Sequence, residues 1–116
     1  MKRRRAERGG RRAERLAAWW LRLHGWRILA TRARTAVGEI DLVARRGRVL
    51  IFVEVKSRAS REQADWALDD YRLRRVTRAA EALLPRYMRP GDVRRIDAML
   101  IVPWRLPRHL LNISSS

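Results

Sequence analysis

Five consecutive apolar residues, Val49-Leu50-Ile51-Phe52-Val53, constrain this chain more than any other feature. A half-buried strand alternates apolar and polar residues, so an unbroken run indicates a strand covered on both faces. Such a strand needs a layer on each side of its sheet. Ala13, Leu16, Ala17, Trp20 and Leu23 recur at helical spacing, predicting a helix from Arg11 that ends at His24 with Gly25 as the left-handed C′ residue. A second helix is predicted over residues 65–86, with Leu73, Val76, Ala80, Leu83, Leu84 and Tyr87 as its apolar stripe. Strands read at residues 26–34, 39–45, 49–57 and 94–102, with a short edge strand at 110–113. The order α-β-β-β-α-β, with a weak final β, describes a single-domain α/β sandwich with a mixed central sheet flanked by helices. A length of 116 residues fits one domain. Residues 1–10 are charged and carry a Gly9-Gly10 break, which predicts a disordered basic arm. Residues 11–113 form the expected domain and 114–116 a tail.

The apolar run sits inside Gly38-Glu39-Ile40-Asp41 through Glu54-Val55-Lys56. An Arg46-Gly47 hairpin connection places Asp41 opposite Val53, with Glu54 and Lys56 as diagonal neighbours. A carboxylate directly after a buried strand is costly to desolvate unless it is paired or bound to a cation. Lys56 adds to this. Of 28 basic residues only Lys2 and Lys56 are lysine, and lysine can lose its proton where arginine cannot. Two carboxylates beside a tunable amine could hold a divalent metal next to a general base. On spacing alone, a plain cross-strand ion pair at a strand end is the more economical account.

Charge bears on partners. The 28 basic residues face 12 acidic ones, a net charge of +16 that favours a polyanion such as nucleic acid. Arg72, Arg74, Arg75 and Arg78 lie largely off the second helix's apolar stripe, where they would contact phosphates. Cysteine is absent, which rules out thiolate metal sites and fits a reducing cytoplasm. No apolar run approaches the roughly 20 residues that cross a bilayer, so no membrane partner is expected. Trp19 and Trp66 fall off the apolar stripes, where they could stack on unpaired bases or cover a sheet edge or dimer seam. Asp97 is expected to pair a nearby arginine, His24 to close a helix, and His109 to be solvated in a proline-rich tail.

The segments Gly38-Glu39-Ile40-Asp41-Leu42-Val43-Ala44 and Phe52-Val53-Glu54-Val55-Lys56 closely resemble the YraN-like family of small bacterial proteins. The likeness covers residues 11–102 and includes Glu14 before Leu16-Ala17, Gly25-Trp26-Arg27-Ile28-Leu29, and Arg95-Ile96-Asp97. That family is similar in turn to the PD-(D/E)xK superfamily, which has the restriction-endonuclease fold and includes archaeal Holliday-junction resolvases. The resemblance implies a restriction-endonuclease-like fold and a magnesium- or manganese-dependent endonuclease acting on structured or branched DNA. It implies Asp41, Glu54 and the Val55 carbonyl as metal ligands and Lys56 as the catalytic lysine. Glu14 would be the helix-borne acid, with Glu39 nearby. The sequence departs from the pattern at Ile40, where the motif proline would stand, and at Arg72, where lysine is usual. The loop over residues 57–64 lacks an expected glycine. A resolvase-like role would call for a symmetric homodimer. A non-catalytic nucleic-acid-binding protein of the same fold is the alternative.

Overall fold

The computed structural model describes residues 2–59 and 70–113. Helix α1 (Lys2–Leu23) leads into β1 (Arg27–Thr35), β2 (Gly38–Arg46) and β3 (Val49–Ser57), followed by α2 (Asp70–Tyr87), β4 (Val93–Ile101) and β5 (Arg108–Leu110). The five strands form one sheet in the order β1-β2-β3-β4-β5. All neighbours are antiparallel except β3 and β4, which run parallel because α2 carries the chain back between them. The described residues thus form a single α/β domain with a mixed five-stranded sheet and two helices.

Strand β3 is central, and its apolar run divides by alternation between the two faces. Ile51 and Val53 pack with Ala13, Ala17, Ala18 and Leu21 of α1. Leu50 and Phe52 pack with Val76, Ala79, Ala80 and Leu83 of α2. Each of these four strand residues is at most 1% exposed. Burying a side chain of this size contributes about 1.5–3 kcal/mol, so the run anchors both layers at once.

Several expectations are corrected. α1 begins at Lys2, not Arg11, so residues 2–10 of the expected arm enter the helix and Gly9-Gly10 does not interrupt it. The buried stripe of α1 is rotated from the one expected: Ala18 and Leu21 are buried, whereas Leu16 is 41% and Leu23 60% exposed. Small residues face the sheet here, and Leu16 turns toward the chain end beyond β4. The hairpin connection is Gly47-Arg48, because Arg46 pairs with Val49. Gly47 takes a positive φ of 61° at the first turn position, where a primed turn favours glycine. The register is therefore one residue from that expected, and Leu42, not Asp41, lies opposite Val53.

The edge strand falls at Arg108–Leu110, not at residues 110–113. His109, expected in solvent, is a half-buried partner of Asp97: its Nε2 lies 2.8 Å from Asp97 Oδ2. Pairing of β5 with β4 brings it inward, and its ring meets Trp26 edge-on at 6.2 Å. Asp97 does pair an arginine, Arg95. His24 does close α1, with Nδ1 2.7 Å from the Trp20 carbonyl oxygen, and Gly25 has φ 86° as its C′ residue. Residues 65–69 of the expected second helix, with Trp66, lie outside the described residues, as does most of the loop before them.

Candidate functional site

The sheet opens at Asp41. β2 pairs with β3 from Arg46–Val49 to Leu42–Val53 and no further. On the other side, Thr31 pairs Leu42 and Ala33 pairs Ile40, while Arg32 between them has φ 50°, a costly conformation for a non-glycine residue. A regular strand puts residues i and i+2 on one face. Here Ile40 joins the core under α2 and Leu42 the core under α1, so the strand turns over at Asp41. Its carboxylate is left where the β2–β3 ladder parts, and Asp41 Oδ2 accepts the Val55 N–H at 2.7 Å. One residue's N–H and C=O in a strand point toward the same neighbour, so the Val55 carbonyl faces this opening too.

Had the ladder continued, its register would set Asp41 opposite Glu54. The two carboxylates act on each other. Burial pushes the Asp41 pKa up to about 7, Glu54 adds to the rise, the Val55 N–H opposes it, and Glu14 and Glu39 add smaller increments. Burial also raises the Glu54 pKa, opposed by the charges of Arg72 and Lys56. Lys56 is itself only 5% exposed. The sequence-predicted trio of Asp41, Glu54 and Lys56 is therefore within electrostatic reach, Asp41 with Glu54 and Glu54 with Lys56.

Glu14 comes from α1 and accepts a 2.8 Å hydrogen bond from Arg32 Nε. It reaches Asp41 through its field. Glu39 stands at the rim, 40% exposed and 3.5 Å from Arg34 Nε. It helps line a cleft of about 170 Å³ with Glu54, Tyr71, Arg72 and Arg75. Arg74, Arg75 and Arg78 are exposed along α2, as phosphate contact requires. Arg72 is engaged in the site: its Nη2 donates to Glu54 Oε1 at 3.0 Å. Sequence reasoning missed Arg32, whose backbone kink and bond to Glu14 flank Asp41. No residue type in the segment signals that kink.

Among the described residues no group of three or more His, Asp or Glu side chains is arranged to hold a metal ion. The oxygens on offer are two carboxylates and one backbone carbonyl. That set suits a hard cation that keeps waters and takes substrate phosphate oxygens, as magnesium does. Among the described residues no helix is long and apolar enough to cross a membrane.

Comparison with known proteins points one way. Uncharacterised protein family UPF0102 matches residues 13–101. A UPF0102 protein of Sphingopyxis alaskensis is 63% identical over 108 residues, 93% of each chain. One from Rhizorhabdus wittichii is 61% identical over 108 residues, covering 93% of this chain and 92% of its own. One from Erythrobacter litoralis is 54% identical over 112 residues, 97% of each.

Proposed function

The chain belongs to uncharacterised protein family UPF0102, and we propose that it is a magnesium- or manganese-dependent endonuclease with a restriction-endonuclease-like fold, acting on structured or branched DNA. One observation carries the reading. In a chain of net charge +16, a half-buried aspartate is held on a backbone N–H beside a second carboxylate, with its pKa pushed up to about 7. An acid placed at such cost, beside a glutamate that feels the charge of one of only two lysines, is better explained by a cation than by an ion pair. Asp41 and Glu54 would hold the cation, with the Val55 carbonyl as third oxygen. When bound, the cation would polarise the scissile phosphodiester and make the attacking water more acidic. Lys56 would orient that water, take its proton, or stabilise the charge that develops at phosphorus. Glu14 fixes Arg32 beside Asp41, and Glu39 sits at the cleft mouth. Arg74, Arg75 and Arg78 would bind backbone phosphates irrespective of sequence. A resolvase-like task would use two copies, one per strand.

The Arg72–Glu54 ion pair favours the second reading, a nucleic-acid-binding protein without catalysis, because it already occupies one carboxylate. The test is a cleavage panel of supercoiled, single-stranded, flap and four-way-junction DNA, with magnesium or manganese and with chelator. Wild type should cut at least one branched substrate. Asp41→Asn and Glu54→Gln should lose cleavage and keep binding, and Lys56→Arg should lose most activity. A wild type that binds every substrate and cuts none would leave the binding-protein reading.

A further inference from the structure

We propose that the groove between α1 and the chain linking β4 to β5 takes an unpaired nucleic-acid strand, whose bases stack on Trp104 and Trp19. The inference rests on the nuclease reading for its purpose. Its own support is separate. The groove encloses about 680 Å³. Its apolar wall stays open to water: Leu16 is 41%, Trp19 51%, Leu106 67% and Trp104 101% exposed. Large apolar side chains left open to water side by side commonly mark a binding surface. Trp104 also has φ 63°, a left-handed conformation that a bulky side chain adopts at a steric cost. The turn that imposes it, closed by the Arg105 N–H donating to the Val102 carbonyl at 3.2 Å, holds the indole fully in solvent. Strain spent on presenting an aromatic ring to water points to a ligand.

The rim selects the ligand class. Arg12 and Arg105 line the same groove and are exposed. Flat apolar rings edged by arginines suit a strand that offers base faces and phosphates together, which a duplex does not because its bases are stacked on one another. A second copy of the chain would bring a further +16 charge onto an arginine rim. The groove begins at the end of the strand that carries the candidate active site. Ser57, the residue after Lys56, lines it. Ser57 pairs with Ile101, whose carbonyl accepts the Arg58 N–H at 3.0 Å, so β3 delivers the chain from the acidic site into the groove. A branched substrate has both parts: a duplex for the arginine face of α2 and an unpaired arm for the groove.

Binding is measured with chelator present, so its failure is distinguishable from failure of the nuclease reading, which the cleavage panel tests. The probes are labelled oligothymidylate, oligouridylate and a DNA duplex of equal length. Trp104→Ala and Trp19→Ala are surface changes, and circular dichroism and melting temperature should match wild type. Each should weaken binding of the single strand about tenfold, the loss expected for one stacked base, and leave duplex binding within about twofold. A loss seen with oligothymidylate alone identifies a DNA strand, and one seen equally with oligouridylate a strand of either sugar. Unchanged single-strand affinity in both variants, or an equal loss on duplex, overturns the proposal. So does a groove that ignores both oligonucleotides and binds an acidic, aromatic-rich peptide, which would make it a protein-docking surface.

Discussion

Two aspartates lie one strand away from β3 on either side, the half-buried Asp41 on β2 and the buried Asp97 on β4, and their surroundings treat them in opposite ways. Asp97 is fully buried and accepts four hydrogen bonds: two from Arg95 at 3.1 and 2.8 Å, one from His109 at 2.8 Å and one from the Asn112 N–H at 2.8 Å. Burial pushes its pKa up, but the bonds from His109, Arg95 and Asn112 outweigh burial and hold it below the usual carboxylate range. Asp41 accepts one backbone N–H and is surrounded by other carboxylates, so burial and Glu54 carry its pKa up to about 7. The first is what a protein does with a structural charge. The second leaves a carboxylate poorly compensated, which is where the proposed cation would act.

The comparison breaks most visibly at Asp97. Asp97→Ala removes the acceptor for Arg95, His109 and the Asn112 N–H together, leaving a partly buried guanidinium uncompensated. Loss of one partner of a buried charge pair costs about 3–5 kcal/mol, which urea denaturation at neutral pH should read. The sign in pH follows from the lowered pKa. Asp97's contribution is present above pH 3.8 and is lost as pH falls through its folded pKa, so the wild type–variant gap should close in acid.

Asp41→Asn should act in the reverse direction. With its folded pKa raised from 3.8 to about 7, Asp41 contributes stability that is present below pH 3.8 and lost as pH rises through about 7. The neutral amide keeps an oxygen for the Val55 N–H. In chelator the variant should be more stable than wild type by about 2–4 kcal/mol at pH 8 and equal to it near pH 4. Magnesium or manganese should raise the melting temperature of wild type and leave the variant unmoved. A destabilised variant at pH 8 would mean Asp41 is as structural as Asp97.

The two aspartates also mark how far the sequence could be read. The apolar run at residues 49–53 announced a two-sided central strand, and the element order followed with few boundary errors. Asp97's arginine partner was legible, since Arg95 stands two residues away on the same strand face. Its histidine was not, because His109 reaches Asp97 only through β5, a three-residue strand without an alternating pattern. The hairpin register was missed by one because Gly47 has an arginine on each side. Nothing in Arg-Gly-Arg tells which arginine shares the turn, and the answer lies in where a positive φ falls. Asp41's candidacy as a site residue was legible by resemblance. Its position was not, because it depends on the Arg32 kink and on β2 turning over, both set by packing between layers rather than by local propensity.

A smaller effect sharpens the comparison at Glu54, which stands between the two extremes. Burial raises its pKa, and Arg72 and Lys56 hold that rise in check. Arg72 is 48% exposed, so its 3.0 Å bond to Glu54 contributes less than about 1 kcal/mol. Arg72→Ala should therefore cost little stability at neutral pH, with the loss fading in acid as Glu54 protonates in both proteins. Its effect on a cation should be larger than its effect on folding. Removing a positive charge from Glu54 makes the Asp41–Glu54 pair more negative, so divalent-ion affinity should rise a few-fold, read as a lower midpoint in a magnesium or manganese titration of melting temperature. Charge reversal by Arg72→Glu should raise it further, while Arg78→Ala, on the same helix but with no bond to Glu54, should leave it unchanged. If Arg72→Ala weakens the cation instead, Arg72 is holding Glu54 in position for the metal, and the ion pair belongs with the Asp97 network as scaffolding.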